Sequence, residues 1–251
     1  MSYNRPIVLS IAGFDPCGGA GVLADIKTFE QHQCLGMAVN TSITNQVEDN
    51  FISVDWFSAK EIIEHIKPLT DLYKIDYVKI GIIENLDTLQ EVISFLKKQN
   101  ETIKIIWDTV LSSSTGFDLI EGIDQNKLND LLKNIYLITP NVNEAKKLSG
   151  LTDETSAAEF LSGFCNVLLK GGHSEENPGV DVLFTDKEMI EIKKQSSKTI
   201  YHKHGSGCIL SSAITANLAL GNDLKNSCKN AKYYIETILN SNTHLLAYHV
   251  A

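Results

Sequence analysis

The segment HGSGC at residues 204–208 places a cysteine after a Gly-Ser-Gly sequence, at the start of a run of helix-forming residues. Gly-Ser-Gly lets successive backbone N–H groups converge, and at the first turn of a helix these groups and the helix dipole favour an anion. Such a cradle would hold a transferring phosphoryl group while negative charge builds on it. We therefore predict that Gly205, Ser206 and Gly207 form an anion-binding loop.

Cys208 follows this loop, and the same local field predicts a thiol pKa below the usual value of about 8.5. A thiol in that position would accept the proton of a substrate hydroxyl group. The alternative is a small core residue at a helix start, which the glycines flanking Ser206 disfavour. The sequence HKH at 202–204 offers histidine ligands, but no third ligand stands at a recognised spacing, so we predict no metal site there.

Other polar residues at predicted strand ends suit the phosphates of a nucleotide and their counter-ion. Lys170 closes the buried strand of LLKGGH, where it would reach a phosphate as a point charge. Asp108 ends the apolar strand of IIWD and would orient a metal ion through water, pair with a lysine, or cap a loop. Asn141 and Glu144 are three residues apart at a helix start, so they fit either a capping box or positions near magnesium and phosphate oxygens.

A second glycine-rich segment, GFDPCGGAG at 13–21, joins a predicted strand to a predicted helix. It matches neither G-x-G-x-x-G nor G-x-x-x-x-G-K-[ST], but four glycines in nine residues exceed what a turn needs, so we expect close contact with a ligand. Asp25 lies one helical turn after Gly21 and either faces the same cavity or is exposed. Gln46 follows the second predicted strand, where its amide would suit the edge of an aminopyrimidine ring or lie at the surface.

Alternating strands and helices must position these residues. The predicted strands span 6–13, 37–45, 76–83, 103–108, 136–141 and 166–172, and a hairpin-like pair turns around Asp186 and Lys187. The predicted helices span 21–33, 58–72, 86–99, 124–135, 142–150, 156–164, 207–220 and 223–241. Repeated β-α units predict an α/β fold with a mostly parallel sheet, covered by helices on both faces, that binds ligands beyond the carboxyl ends of its strands.

Composition limits the class of protein. The chain has 251 residues, of which 43% are hydrophobic and 21% charged, and this fits one large α/β domain or two small ones. The formal net charge of −9 argues against non-specific binding to nucleic acid or anionic membranes. Five cysteines, an odd number with no C-x-x-C pair, predict reduced thiols in a cytoplasmic protein.

Taken in order, these segments resemble the ribokinase-like superfamily, and within it the hydroxymethylpyrimidine/phosphomethylpyrimidine kinases of thiamine biosynthesis. The resemblance covers roughly residues 7–235 and rests on IAGFDPCGGAGVLADIKTF, TNQ, VKIG, WDTVL, TPNVNEA, LLKGGH and HGSGCILSSAITANLALG. It implies one α/β/α-sandwich domain spanning residues 1–251, the use of ATP and Mg²⁺, and a homodimer. It also implies phosphorylation of 4-amino-5-hydroxymethyl-2-methylpyrimidine and then of its monophosphate.

The resemblance also implies roles for individual residues. The implied substrate-binding residues are Gly13, Asp15, Ala20, Asp25, Gln46, Ile82 and Val110. The implied ATP-binding residues are Asp108, Thr139, Asn141, Glu144, Lys170 and Gly172, and the metal residues among them are Asp108 and Glu144. The implied catalytic residues are Cys208, Gly205, Ser206, Gly207 and Lys170. Sugar kinases of the superfamily have aspartate in place of Cys208, so this cysteine favours the pyrimidine/pyridoxal branch.

The sequence departs from the family pattern at four places. Ile82 stands where a methionine usually lies over the ring, Thr109 where proline usually follows the strand-end aspartate, and Ser114 where lysine is common. The C-terminal sequence HLLAYHVA lacks the glycine-rich tail that is often seen. Two alternatives stay open, namely a pyridoxal or pyridoxine kinase of the same superfamily and a ligand-binding regulator without catalysis.

Overall fold

The computed structural model of the chain describes residues 5–111, 122–173, 179–194 and 200–249. Its strands are β1 Ile7–Phe14, β2 Leu35–Val47, β3 Asn50–Trp56, β4 Tyr77–Ile80, β5 Lys104–Trp107, β6 Leu137–Ile138, β7 Asn166–Leu169, β8 Asp181–Phe184 and β9 Met189–Ile192. Its α-helices are α1 Gly21–Gln31, α2 Ala59–Leu72, α3 Leu86–Gln99, α4 Gln125–Leu132, α5 Val142–Ser149, α6 Glu154–Ser162, α7 Ser206–Ala219 and α8 Leu224–Leu239.

The described strands form one sheet in the order β3-β2-β1-β4-β5-β6-β7-β8-β9. The strands from β2 to β7 in this order run parallel. β3 is antiparallel at one edge, and β8 and β9 form the predicted antiparallel hairpin at the other. The prediction of a mixed α/β fold with a mostly parallel sheet is confirmed. Because carboxyl ends of parallel strands meet at one edge, the segments that follow β1, β5, β6 and β7 converge there.

Helices pack on both faces of the sheet, as strand β5 illustrates. Ile105 and Trp107 belong to the core cluster that contains residues of α2 to α6. Ile106, between them, belongs to the cluster formed with α7 and α8. This alternation follows from the two-residue repeat of a strand, and a strand covered on both faces must be apolar throughout. The two layers leave the carboxyl edge of the sheet as the place for polar side chains.

Several elements differ from the sequence-based expectation, and β4, β6 and β7 are each three or four residues shorter than predicted. β3 was not among the predicted strands, because it is an edge strand of mostly exposed or half-buried residues and carries a weak hydrophobic pattern. β2 is also longer than predicted and runs to Val47. Pro68, predicted to kink or end a helix, lies inside α2, which continues to Leu72.

All five cysteines are free thiols, as predicted. Within the ranges that the structure describes, no helix combines the length and the apolar character needed to cross a membrane.

Candidate active site

The segment before α7, residues 202–205 (the pre-α7 loop), packs directly on the loop between β1 and α1, residues 15–20 (the β1–α1 loop). Gly205 caps α7 in the left-handed region, with φ of 74°. A Cβ atom on Gly205 would overlap the backbone oxygen of Gly19, so the contact between the loops requires glycine. The structure therefore brings the two glycine-rich segments together, as the sequence predicts for one ligand-binding edge.

The first turn of α7 keeps its backbone donors free of side-chain caps. The N-cap residue, Gly205, has no side chain and so makes no capping hydrogen bond to this helix start. The first N–H groups of a helix have no partner within the helix, and the dipole makes this end positive. The N–H groups of Ser206, Gly207 and Cys208 are therefore available to an anion.

Lys170 brings a cation to this helix start. Its Nζ lies 3.2 Å from Asp108 Oδ1 and 3.8 Å from Glu144 Oε2. A Cβ atom on Gly207 would lie only 3.3 Å from the same Nζ. Burial alone would lower the pKa of Lys170, but Asp108 and Glu144 raise it above its usual value. The side chain is therefore a positive charge between two carboxylates and the amino end of α7.

Asp108 has no exposed surface. Its Oδ1 accepts hydrogen bonds from Thr139 Oγ1 at 3.1 Å and from Lys170 Nζ at 3.2 Å. Its Oδ2 is buried and has no hydrogen-bond partner among the described residues. Burial alone would raise the pKa of Asp108, but Lys170 and Lys79 lower it. A charged carboxylate with an unsatisfied oxygen fits Mg²⁺ or its bound water, since Mg²⁺ prefers oxygen ligands and takes few from the protein.

Asn141 and Glu144 form the capping box of α5, which confirms the simpler of the two interpretations. Asn141 Oδ1 accepts from the Glu144 N–H at 2.9 Å, and Glu144 Oε2 accepts from the Asn141 N–H at 2.7 Å. Thr109 Oγ1 donates to the same Oε2 at 3.3 Å, a bond that proline at this position could not make. Burial raises the pKa of Glu144; Lys170 opposes this effect and Asp108 adds to it, so the net shift is upward. The capping carboxylate thus remains part of the charge cluster around Lys170.

A buried ion pair lies next to the first turns of α7. Lys79 Nζ is 2.9 Å from each oxygen of Asp25, and neither side chain is exposed. Ser10 Oγ and Ser212 Oγ donate to the same carboxylate at 2.5 Å and 2.6 Å. Ser212 is four residues after Cys208 on the same helix face, which puts the pair one turn from the thiol. Asp25 has no exposed surface and its oxygens accept these hydrogen bonds, and its implied role in substrate binding stays a prediction.

Lys79 is a residue to which sequence reasoning gave no role. The available signal was a lysine inside the apolar strand YVKI, since lysine is almost never fully buried without a partner. Burial alone would lower the pKa of Lys79, but Asp25 raises it above its usual value. Lys79 is therefore charged and acts on the groups around it.

The structure corrects the prediction for the Cys208 thiol. Burial of this half-buried side chain raises its pKa, Lys79 lowers it, and the carboxylates of Asp108 and Asp25 raise it again, to about 12. The prediction of a lowered pKa is wrong because spacing along the chain reveals neither the burial of the sulfur, which is the largest effect, nor the two carboxylates that the fold brings near it. Cys208 is a neutral thiol at neutral pH.

Asp15 ties the two glycine-rich loops together. Its Oδ2 accepts from the backbone N–H groups of Gly19 and Ala20 at 3.0 Å and 2.8 Å and lies 3.0 Å from His204 Nε2. Its Oδ1 accepts from both the N–H and the thiol of Cys17 at 3.0 Å. Burial alone would raise the pKa of Asp15, but the hydrogen bonds from His204, Cys17 and Ala20 lower it to about 2. With 2% of its surface exposed, Asp15 organises the loops, and its implied contact with substrate stays a prediction.

Asp15, Cys17 and His204 also place three potential metal-ligand atoms within 4.8 Å of one another. The β1–α1 loop thus supplies two potential ligands beside His204, and His202 is not part of this group. The carboxylate already accepts the hydrogen bonds described above, however. His204 Nδ1 has no partner among the described residues, so nothing there would hold the ring proton if Nε2 bound a metal ion. We interpret the three side chains as a hydrogen-bonded link between the loops.

Four of the implied substrate-binding residues lie near the carboxyl ends of the central strands. A Cβ atom on Gly13 would clash with the side chain of Ile82, so the two residues pack together at the end of β1. Ala20 is the N-cap of α1 and lies against Gly205. Val110 follows Asp108 by two residues and is half-buried. Ala20 therefore connects this side of the site to the first turn of α7.

Gln46 and Gly172 lie further out. Gln46 is inside β2, not after it, and is half-buried. Phe14 pairs with Ile43, so Gln46 lies about 10 Å beyond the end of β1 along the strand. Gly172 is exposed in the short 3₁₀ turn Gly171–His173 that follows β7. Ser114 lies outside the described residues.

A mostly parallel sheet whose carboxyl edge holds a helix start without a side-chain cap, a lysine and a buried carboxylate fits a phosphotransferase of the α/β class. Residues 15–251 match the sequence model of the family described as phosphomethylpyrimidine kinase. The chain belongs to the phosphomethylpyrimidine kinase family, and the assignment made from the sequence is confirmed.

Known proteins with similar sequences and structures agree. The hydroxymethylpyrimidine/phosphomethylpyrimidine kinase of Aquifex aeolicus is 38% identical over 247 residues, which cover 94% of this chain and 95% of that protein. A solved phosphomethylpyrimidine kinase from Clostridium difficile is similar with a TM-score of 0.78 and 31% identity, over 92% of this chain and 98% of that one. The ADP complex of Bacillus subtilis pyridoxal kinase has a TM-score of 0.80 and 26% identity, over 95% and 93% of the two chains.

Proposed function

We propose that the chain is an ATP-dependent kinase that phosphorylates 4-amino-5-hydroxymethyl-2-methylpyrimidine and then its monophosphate, in thiamine biosynthesis. Family membership supports the reaction. The observation that carries it is the position of Lys170 against Gly207, because a fixed cation then stands beside uncapped helix N–H groups and the Cys208 thiol. The proposed architecture is one ribokinase-like α/β/α sandwich spanning residues 1–251.

The chain's own residues act mainly by position and charge, since phosphoryl transfer leaves little covalent chemistry to a protein. The N–H groups of Ser206 and Gly207, behind the Gly205 cap, hold the γ-phosphoryl group of ATP as its charge spreads. Lys170 neutralises phosphate charge as a point charge. Bound Mg²⁺, held by Asp108 with Glu144 nearby, would offset further phosphate charge and the charge of Asp108 itself.

Cys208 is the group that accepts the proton of the substrate hydroxyl. At rest it is a neutral thiol, because Asp108 and Asp25 add to the effect of burial and raise its pKa to about 12. Lys79 opposes this effect and stabilises the thiolate, which forms when the thiol loses its own proton to solvent and only then accepts the proton of the substrate hydroxyl.

The direct test is phosphorus NMR of the products formed from the pyrimidine alcohol, ATP and Mg²⁺. We expect signals of the monophosphate first and of the diphosphate later, and no product when Mg²⁺ is chelated. Monophosphate alone would remove the second phosphorylation from the proposal. If ATP is not consumed at all, the chain is the regulator without catalysis.

A second candidate function, phosphorylation of pyridoxal or pyridoxine, is supported by the similarity to the Bacillus subtilis pyridoxal kinase. Parallel assays with pyridoxine serve as the control for the NMR experiment. We expect a higher kcat/KM for the pyrimidine alcohol. Efficient phosphorylation of pyridoxine with no pyrimidine diphosphate would replace the first proposal by the second.

We also propose a homodimer. The β2–β3 hairpin at the sheet edge exposes Ile43, Val47 and Ile52 by 47%, 48% and 59%, and apolar side chains on an edge pair of strands favour association. We expect light scattering to give twice the chain mass of 27.7 kDa. An Ile52→Lys variant should shift the mass towards the monomer, and a monomeric wild type would contradict the proposal.

The remaining expectations concern location and partners. The free thiols suit a reducing cytoplasm. The net charge of −9 suits small-molecule ligands better than nucleic acid or a membrane surface.

A further inference from the structure

The segment after α8, residues 241–249, lies across both glycine-rich loops and is called here the C-terminal strap. The backbone N–H of His204 donates to the oxygen of Leu245 at 3.0 Å. Leu246 packs on the other loop, since a Cβ atom on Gly19 would lie 2.9 Å from Leu246 Cδ2. The strap therefore contacts the pre-α7 loop by a hydrogen bond and the β1–α1 loop by an apolar side chain.

Lys203 holds the strap in place by hydrogen bonds from its buried side chain. Only 1% of its surface is exposed. Its ammonium donates to the backbone oxygen of Asn242 at 2.6 Å, to Asn242 Oδ1 at 3.0 Å and to the backbone oxygen of His244. No carboxylate pairs with it within the described part of the chain. A buried ammonium has three protons to satisfy, and here all of the hydrogen-bond acceptors come from the strap, while the Tyr201 ring centroid lies 5.7 Å from Nζ.

Asn242 arranges the strap to receive Lys203. Its Oδ1 accepts from the backbone N–H of His244 at 2.7 Å, and its Nδ2 donates to the oxygen of Leu246 at 3.0 Å. Ser241 Oγ accepts from the backbone N–H of Tyr248 at 3.0 Å. These bonds fold the strap into a turn in which Asn242 Oδ1 and the backbone oxygens of Asn242 and His244 all face the Lys203 ammonium. The strap is therefore a preformed acceptor for a cation.

The position of Lys203 in the chain connects the strap to the chemistry. The next residue, His204, is bound to Asp15, and the one after it, Gly205, is the N-cap of α7. A shift of Lys203 therefore displaces the first N–H groups of the helix relative to the β1–α1 loop. Errors of about 1 Å in such a position can cost about 100-fold in rate.

We propose that Lys203 is a positioning residue for phosphoryl transfer: by anchoring the pre-α7 loop to the C-terminal strap, it fixes the N–H groups of the first turn of α7 in place. The proposal rests on the proposed function, because it assigns those N–H groups to the γ-phosphoryl group. Lys203 acts only by fixing the position of this turn, and it contacts neither the pyrimidine alcohol nor ATP.

The test is the Lys203→Met variant, with kcat and KM measured for the pyrimidine alcohol and for ATP. We expect kcat to fall by about 10- to 100-fold with little change in either KM, because the site still binds but holds the phosphoryl group badly. Hydrogen–deuterium exchange should rise in two peptides together, the one covering 203–209 and the one covering 241–249. Lys203→Arg, which keeps the donors, should recover part of kcat.

Lys97→Met is the matched control. Lys97 also donates to backbone oxygens alone, those of Ile103 at 3.0 Å and Glu101 at 3.3 Å, but at the amino end of β5. It should lose stability without losing kcat. If Lys203→Met does not fold, Asn242→Ala removes one acceptor of three and should give the same pattern on a smaller scale.

An unchanged kcat, or a loss that appears only as a raised KM, overturns the proposal. So does faster exchange at 241–249 that leaves 203–209 protected, because the strap would then not hold the loop. If the wild type transfers no phosphoryl group, the proposed function fails, and the exchange experiment still decides whether Lys203 couples the two segments.

Discussion

Replacing Cys208 with alanine is expected to lower kcat for the pyrimidine alcohol by about 10²- to 10⁴-fold, the range of a lost general acid–base group. The thiol stands in the first turn of α7 beside the N–H groups proposed to hold the γ-phosphoryl group. Alanine keeps that turn intact and removes only the proton acceptor. Because the interaction belongs to the transition state, kcat and kcat/KM should fall by the same factor, as steady-state kinetics would show.

Two further measurements test the interpretation of this variant. Cys228→Ala removes a buried thiol of α8, away from the site, and should lower stability but not kcat. A Cys208→Ala enzyme with wild-type kcat would assign proton acceptance to another group, such as a phosphate oxygen. In the wild type, alkylation of Cys208 should rise with pH from 7 to 9.5 without a plateau, because its pKa is about 12. A plateau near pH 8 would contradict that value.

The raised pKa of Cys208 also makes the stability of the folded chain depend on pH. A folded-state pKa above the unfolded value of about 8.5 means that the folded chain holds this proton more tightly. The contribution to stability is complete below about pH 8.5 and is lost as pH rises towards 12. The thiols of Cys17 and Cys34, whose pKa values burial raises to about 11, act in the same direction.

Replacing Lys79 with methionine is expected to lower the free energy of unfolding by about 3–5 kcal/mol, the cost of breaking a buried ion pair from one side. The change leaves Asp25 as a carboxylate with no exposed surface and only two serine donors. Urea denaturation monitored by circular dichroism measures the loss. Removing the charge also takes away the cation that lowers the pKa of Cys208, so that pKa should rise further.

The pair Lys67–Asp71 on α2 is the matched control for Lys79. Its atoms are 2.6 Å apart, but the two side chains are 60% and 51% exposed. Lys67→Met should change stability by at most about 1 kcal/mol. A loss of that size for Lys79→Met would show that Asp25 becomes neutral or hydrated at little cost, which would contradict the electrostatic role given to the pair.

Local patterns in the sequence were enough to predict much of this fold. Alternating apolar strands and amphipathic helices indicate a mostly parallel sheet, and the rule that ligands bind at strand ends locates the glycine-rich segments at one edge. The three-residue spacing of Asn141 and Glu144 is enough to predict the capping box, because such a cap involves only residues that are close in sequence. Such features depend on a few consecutive residues.

Contacts between distant residues could not be predicted in the same way. Lys79 is 54 residues from Asp25, and His204 is 189 residues from Asp15, so each pair exists only because of the strand order and the packing of α7 on α1. The pKa of Cys208 depends on the same long-range placement. Nothing along the chain shows that the oxygens of Asp15 and Asp25, which the resemblance implies bind substrate, accept hydrogen bonds within the protein.

The contact between Gly205 and Gly19 has a consequence for changing the substrate of this enzyme. Because the backbone of one loop fills the space where a side chain of the other would lie, the two loops cannot be redesigned separately. A substitution at 18–20 made to accommodate a different alcohol would also displace the start of α7. Ile82 and Val110 follow other strands and lie outside this contact, so they are the positions at which a library for altered alcohol specificity should begin.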